Sequence, residues 1–107
     1  MVVATGLALP DAPGTIGLLA ATAEAGWLVT TPRLPLLVHG TGDLFSALFL
    51  GHYLRTREVK TALELASAAI YAVVERTRAS DADELQMVSA QDALVTPASR
   101  FDARRIA

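Results

Sequence analysis

The hydrophobic positions of the chain first form short continuous runs and later form helical stripes. Residues 2–7 are a nearly continuous apolar run, which predicts a strand buried on both faces, as in a parallel sheet. Residues 15–22 and 27–31 are two further apolar runs, and the segment between them ends in Gly26. We interpret this pair as a β-hairpin because glycines punctuate it. The alanines across residues 18–25 favour a helix as the alternative.

The middle of the chain carries the spacing of two helices. Residues 43–55 are apolar nearly all round, which predicts a helix buried between layers. A second helix is predicted from residue 58 to residue 78, and its alanines permit close approach to another helix or to a flat ligand. The segment Thr61-Ala62-Leu63-Glu64 matches a capping box, which would place the start of this helix slightly later.

The C-terminal part contains shorter elements. Residues 85–88 have the composition of an extended segment. The segment Ser89-Ala90-Gln91-Asp92 is a second capping-box pattern, and it predicts a short helix that ends before Pro97. In the tail, we expect Phe101 and Ile106 to dock onto the body of the protein.

Composition limits the class of protein. The 107 residues are 52% hydrophobic and 19% charged, enough apolar material for the core of one domain. The net charge of −2 without a basic block argues against nucleic acid as a partner, and the absence of cysteine excludes disulfides and thiolate metal sites. No apolar run reaches the roughly 18 residues of a membrane span, and no signal-peptide pattern is visible, so we expect a cytoplasmic protein.

The order of strand, hairpin, turn and two helices predicts an α/β class. A parallel sheet needs cover on both faces, yet these residues offer a single central strand and a hairpin. The mean hydropathy of +0.40 also indicates elements that are buried on more than one face. We therefore expect residues 1–107 to form a single partial domain.

The turn Gly40-Thr41-Gly42-Asp43 carries the main chemical signal. Glycines let backbone N–H groups approach a ligand, and a helix that begins after such a turn directs its unpaired N–H groups and its positive dipole end at an anion, most often phosphate. Asp43 fits such a site if it accepts a proton from a group that attacks phosphate. The alternative is a loop in which Thr41 or Asp43 caps the helix.

Other polar and aromatic residues have structural explanations. We interpret His39 as incidental, His52 as structural or exposed on its helix, and Trp27 as a packing residue of the hairpin. Thr5 fits a buried strand by its β-propensity alone, and Arg33 between prolines fits a solvated charge.

The Gly-x-Gly-Asp turn before a helix resembles the C-terminal part of the ribokinase-like small-molecule kinases. Within them, three further stretches are similar to pyridoxal kinases: the strand that holds Thr5, the segment Thr31-Pro32-Arg33-Leu34, and residues 84–92 with Pro97 and Phe101. The resemblance covers essentially the whole chain. It implies the C-terminal portion of a three-layer α/β/α domain, with a short hairpin and two long helices.

The resemblance also implies a reaction, namely transfer of the ATP γ-phosphate to the 5′-hydroxyl of pyridoxal, pyridoxine or pyridoxamine. Asp43 would be the catalytic base and would contact the substrate together with Gly40. The amides of Gly40, Thr41 and Gly42 would form the anion hole. The expected ATP contacts come from these three residues and from Thr5, Thr31, Pro32, Arg33 and Leu34.

Such kinases use Mg²⁺, often with a monovalent cation such as K⁺, whereas no metal ligand is assigned to this chain. Pyridoxal kinases are more than twice as long as these 107 residues, so we expect the isolated chain to have negligible kinase activity. The competing interpretation is a truncated, inactive paralogue, at most a nucleotide-binding module that self-associates through an exposed sheet edge. We expect a homodimer in the kinase case.

Overall fold

A four-stranded sheet and three helices make up the described part of the chain. The computed structural model describes residues 1–33, 41–79, 85, 90–98 and 101–107. The elements in chain order are β1 (Val2–Leu7), β2 (Thr15–Ala21), β3 (Gly26–Pro32), α1 (Thr41–Thr56), α2 (Val59–Ala79), α3 (Gln91–Val95) and β4 (Arg104–Arg105). The predicted α/β class is therefore confirmed.

The predicted hairpin is confirmed by the pairing of β2 with β3. The two strands are antiparallel, with Leu18 opposite Val29 and Ala21 opposite Gly26, so the helical alternative is wrong. Side chains alternate between the two faces of a strand. Leu18 and Val29 therefore share one face, and both belong to the hydrophobic core that the sheet forms with α1 and α2.

The prediction that β1 is a central strand of a parallel sheet, buried on both faces, is wrong for the described residues. β1 lies at one end of the sheet, pairs antiparallel with β2, and all six of its residues are exposed or half-buried. Only Val3 packs against the core. A continuous apolar run that contains valine predicts a strand correctly. It does not predict how deeply the strand is buried, because burial depends on neighbouring elements that are distant in the sequence.

Helix α1 is buried along one side only, which corrects the expectation of a helix enclosed on all sides. Phe45 and Phe49 are 1% and 5% exposed and lie in the core, whereas Leu50 and Leu54 are 56% and 54% exposed. Helix α2 packs against both α1 and the sheet, and its small residues Ala62 and Ala66 are fully buried. Small side chains at these positions let the neighbouring elements pack close to the axis of α2.

The predicted capping box at Thr61 does not begin α2, whereas the short helix predicted to end before Pro97 is confirmed as α3. Helix α2 begins at Val59, so Thr61 lies inside it, and the Thr61 hydroxyl donates a 2.9 Å hydrogen bond to the Glu58 carboxylate. Helix α3 begins after Ala90, which caps it without a side-chain hydrogen bond. Ser89 and the segment 86–88, predicted as extended, lie outside the described residues.

The tail does more than dock, because residues 104–105 add a strand to the sheet. β4 pairs antiparallel with β3, and the Ile106 N–H donates a 2.8 Å hydrogen bond to the Gly26 carbonyl. The Glu64 carboxylate accepts a 2.7 Å hydrogen bond from the Ala103 N–H and so ties the tail to α2. The predicted docking of Phe101 is confirmed, since its ring meets the Tyr71 ring edge-on at 5.2 Å between centroids.

His52 joins α1 to α3, so its interpretation as a structural residue is confirmed. Its side chain is buried, with Nε2 3.1 Å from the Leu94 carbonyl and Nδ1 2.9 Å from the Arg55 guanidinium. Arginine can only donate, so Nδ1 accepts its bond and Nε2–H donates to Leu94. This arrangement requires the neutral ring. Burial is the main cause that lowers the pKa of His52, and the Arg55 charge lowers it further, against an opposing contribution from the Leu94 hydrogen bond.

We expect stability to fall as the pH drops below about 6.5, the ordinary pKa of histidine. Between that value and the lowered pKa of His52 in the folded chain, the unfolded chain binds more protons, so the free energy of unfolding rises with pH. Above about pH 6.5 this contribution is complete. Urea unfolding from pH 8 to pH 5 measures it, with His52→Gln as the comparison. The variant keeps His39, so the difference between the two curves isolates His52, and parallel curves would contradict the prediction.

Candidate functional site

A cleft of about 280 Å³ lies where the sheet meets the start of α1 and the middle of α2. The strand ends and the start of α1 supply polar atoms to its wall, whereas α2, the sheet interior and Phe45 of α1 supply mainly apolar ones. The lining residues of the first group are Thr5, Gly6, Thr31, Pro32, Arg33, Thr41 and Gly42. Those of the second group are Ile16, Leu18, Phe45, Ser67, Ile70, Tyr71 and Val74.

The polar side of the cleft has the geometry of an anion site. Helix α1 begins at Thr41, and the first N–H groups of a helix have no partner within the helix and carry its positive dipole end. The Thr5 hydroxyl oxygen lies 4.0 Å from the position that a Cβ on Gly42 would occupy. The Thr5 hydroxyl therefore lies close to the first turn of α1. Arg33 adds an exposed positive charge to the same wall.

The backbone around the polar side of the cleft is held by hydrogen bonds and by a β-bulge. The Ser46 hydroxyl donates to the Gly42 carbonyl at 3.1 Å, and the Arg33 N–H donates to the Gly14 carbonyl at 2.9 Å. The pairing of β1 with β2 shifts register between Ala4 and Leu7, with Gly6 at a φ of 69°. Bulges of this kind occur beside functional sites because they redirect side chains, here the side chain of Thr5.

Asp43 lies in the first turn of α1, next to the cleft. The helix begins at Thr41, so neither Thr41 nor Asp43 stands at the N-cap, which disagrees with the capping interpretation. The Asp43 side chain is exposed and is not among the residues that line the cleft. An exposed carboxylate beside an anion site can accept a proton from a hydroxyl that approaches from solvent.

The structure brings six of the predicted site residues around one cleft. They come from distant parts of the sequence, namely Thr5, Thr31, Pro32, Arg33, Thr41 and Gly42. Leu34 and Gly40 lie outside the described residues. Sequence reasoning did not identify Gly6 or the α2 residues Ser67, Ile70 and Tyr71 as part of a site. The sequence feature that could have indicated them is the alanine-rich stripe of α2, which leaves room for a flat ligand.

Two features are absent from the described residues, a metal-binding cluster and a membrane-spanning helix. In residues 1–33, 41–79, 85, 90–98 and 101–107, no three histidine, aspartate or glutamate side chains are grouped so that they could hold a metal ion. In the same ranges, no helix combines the length and the apolar character that crossing a membrane requires.

The chain is similar to known proteins in both sequence and fold. No family model matches the chain. It is 52% identical over 94 residues to a curated pyridoxal kinase of Rubrobacter xylanophilus, an alignment that covers 88% of this chain and 32% of the relative. It is 39% identical over 106 residues to a pyridoxal kinase of Leifsonia xyli, with 98% and 38% covered. The chain thus spans about a third of the length of these relatives.

Solved structures place the fold in the same group. The pyridoxal kinase from Leishmania donovani in complex with ADP superposes with a TM-score of 0.76 at 22% identity, over 94% of this chain and 36% of that one. The Plasmodium falciparum enzyme with the ligands AMP-PNP and PL gives 0.75 at 13% identity, over 98% and 36%. The chain is therefore related to pyridoxal kinases over most of its length, and the resemblance and the fold predicted from the sequence are confirmed.

Proposed function

We propose that this relative of the pyridoxal kinases supplies the catalytic base, the anion hole and part of the nucleotide site for phosphorylation of a vitamin B6 vitamer. The observation that carries the proposal is the adjacency of the Thr5 hydroxyl to the first turn of α1, directly before Asp43. The names of the relatives support the substrate class, and the ADP and AMP-PNP in the neighbouring structures support ATP as the donor.

In this proposal Asp43 takes the proton from the 5′-hydroxyl of pyridoxal, pyridoxine or pyridoxamine. The hydroxyl oxygen then attacks the γ-phosphorus of ATP, and the bond to the β-phosphate oxygen breaks, which leaves ADP. The amides of Gly40, Thr41 and Gly42 would face the negative charge on the transferring group. Such donors act most strongly when they are fixed before the reaction, as a helix N-terminus is.

Arg33 and Thr5 hold the rest of the triphosphate in this proposal. Arg33 contributes charge, and Thr5 contributes a hydroxyl donor next to the anion hole. Thr31 and Pro32, at the end of β3, would lie along the nucleotide, and the contact of Leu34 is proposed from the resemblance alone. Mg²⁺ and a monovalent cation remain predictions. The described residues offer no cluster of three side chains that could hold a metal ion.

A chimera tests the proposal. The chain replaces the matching segment of the Rubrobacter xylanophilus relative, to which it is 52% identical, and ATP-dependent phosphorylation of pyridoxal is followed by formation of the phosphorylated product. We expect the chimera to be active. A correctly folded chimera that binds ADP and pyridoxal but transfers no phosphate would contradict the assignment.

The isolated chain should bind nucleotide but turn over negligible pyridoxal. It spans about a third of the length of its relatives, so most of the wall opposite the anion hole has to come from elsewhere. The same product assay on the purified chain, run beside the chimera at equal concentration, measures this. Turnover by the isolated chain within about tenfold of the chimera would overturn the expectation.

A self-associating module is the second candidate, favoured by the position of β1. Among the described strands β1 pairs only with β2, and Val2 is 63% exposed. Unpaired strand edges promote pairing between chains. A homodimer that forms through the edge of β1 is therefore proposed. The molecular mass of the chain in solution tests whether it is a monomer or a dimer.

A further inference from the structure

The bulge in β1 places two residues of this strand on the wall of the cleft. Between Ala4 and Leu7, the pairing advances by three residues on β1 but by only two on β2. Thr5 and Gly6 therefore lie together opposite Leu18, and all three line the cleft. An extra residue of this kind in one strand is what defines a β-bulge.

Leu7 lies on the opposite face of the sheet from Thr5. Its Cβ is 3.3 Å from the position that a Cβ on Gly17 would occupy, and Gly17 alternates along β2 with the cleft residues Ile16 and Leu18. In a regular strand, residues two apart share a face, so Thr5 and Leu7 would point the same way. The extra residue lets Thr5 face the cleft while Leu7 covers the other face of the sheet.

Gly6 has the backbone conformation that makes this change of face possible. Its φ is 69°, in the left-handed region, which glycine adopts readily and other residues adopt at a cost. No atom lies within 4 Å of the position of a Cβ on Gly6, so a methyl group there would meet no neighbour. The backbone conformation, and not the space around it, therefore favours glycine at this position.

We propose that Gly6 is a positioning residue for the phosphate groups of the nucleotide, which acts by holding the Thr5 hydroxyl in the cleft. The inference rests on the phosphate site of the proposed function and adds the residue that orients one of its donors. A side chain at position 6 favours negative φ, which moves the bulge towards Ala4 and turns Thr5 to the face that Leu7 covers. β1 can change in this way because, among the described strands, it pairs only with β2 and its residues are exposed or half-buried.

Titration of the full 107-residue chain with inorganic tripolyphosphate and with ADP tests this inference. We expect Gly6→Ala and Thr5→Val each to bind both probes about 3- to 10-fold more weakly than the wild type. The double variant should bind no more weakly than Thr5→Val alone, because Gly6 acts only through the Thr5 hydroxyl. Gly6→Asn should regain part of the affinity that Gly6→Ala loses, since asparagine tolerates the left-handed region better than alanine.

Gly14→Ala is the matched control. Gly14 also has a left-handed φ, of 79°, and no atom within 4 Å of an added Cβ, but it does not line the cleft. Both alanine variants should therefore lower the melting temperature by a similar amount. The Gly14 carbonyl accepts a hydrogen bond from the Arg33 N–H, so any effect of Gly14→Ala on tripolyphosphate binding should be equal with and without Thr5→Val.

Wild-type affinity for tripolyphosphate in a Gly6→Ala chain of lowered melting temperature would overturn this inference alone. So would additive losses in the double variant, or a Gly6→Asn chain that binds as weakly as Gly6→Ala. If Gly6→Ala does not fold, Gly6→Asn compared with and without Thr5→Val gives the same test. A wild-type chain that binds neither probe would overturn the phosphate site of the proposed function as well.

Discussion

Asp43→Asn should lower pyridoxal phosphorylation by the chimera about 10²- to 10⁴-fold, because asparagine keeps the shape of aspartate but cannot take the hydroxyl proton. ADP affinity should stay within about threefold of the wild type, since Asp43 is exposed and does not line the cleft. Initial rates of product formation at saturating ATP and pyridoxal, together with ADP titration, measure the two effects separately.

Asp92→Asn provides the control for this substitution. Asp92 is also exposed and also lies in the first turn of a helix, but it belongs to α3, away from the cleft. It should leave turnover unchanged. A negative charge near a helix N-terminus contributes about 0.3–1 kcal/mol, so both variants should lose a similar, small amount of stability. If the two variants lost turnover equally, Asp43 would not be the base.

Phe45→Ala should lower the free energy of unfolding by about 3–5 kcal/mol. Phe45 is 1% exposed, lies 6.4 Å from Phe49 between ring centroids, and joins α1 to both the sheet and α2 in one core. Removing the ring leaves a cavity that the surrounding side chains fill only in part. Domains of this size are stable by about 5–15 kcal/mol, so the loss is a large share of the total. Urea unfolding of the 107-residue chain at pH 8 measures it.

Leu50→Ala is the control on the same helix. Leu50 is 56% exposed, so its truncation should change the free energy of unfolding by no more than about 0.5 kcal/mol. A loss below about 1 kcal/mol for Phe45→Ala would mean that α1 contributes little to the stability of the sheet and α2. The cleft would then lack a fixed wall on the side of α1.

Elements with a strong local signal could be predicted from the sequence. The hairpin has apolar runs on both sides of a turn that ends in Gly26, and the helices have long periodic stripes, so each was found within a few residues of its observed bounds. Their surroundings could not be predicted in the same way. The pattern of β1 is that of a doubly covered strand, yet its residues are exposed or half-buried, because neighbours distant in sequence decide burial.

Residues of the candidate site could be predicted only where they belong to a recognisable sequence motif or to a stretch that resembles the kinases. Gly42 and Asp43 belong to a recognisable turn, and the resemblance added Thr5 and Arg33. Ser67, Ile70 and Tyr71 had no such signal, since such residues on an alanine-rich helix are ordinary and only the packing of α2 against the sheet brings them to the cleft. The strand β4 was missed for a related reason, because Arg104 and Arg105 give no apolar alternation.

The same pair of arginines has a consequence for solubility. β4 is only two residues long, both side chains are exposed, and it occupies the side of β3 that faces away from β2. Sheets commonly avoid edge-to-edge pairing between molecules by ending in a short strand with positive charge. A short strand offers few backbone hydrogen bonds, and its charge repels a second copy of the same edge. The Arg105 guanidinium donates to the Glu24 carbonyl at 3.2 Å and lies across the hairpin turn. The tail therefore covers the edge of β3 at Trp27 and Leu28 with a short, positively charged strand, and we expect this part of the edge to resist pairing with another chain.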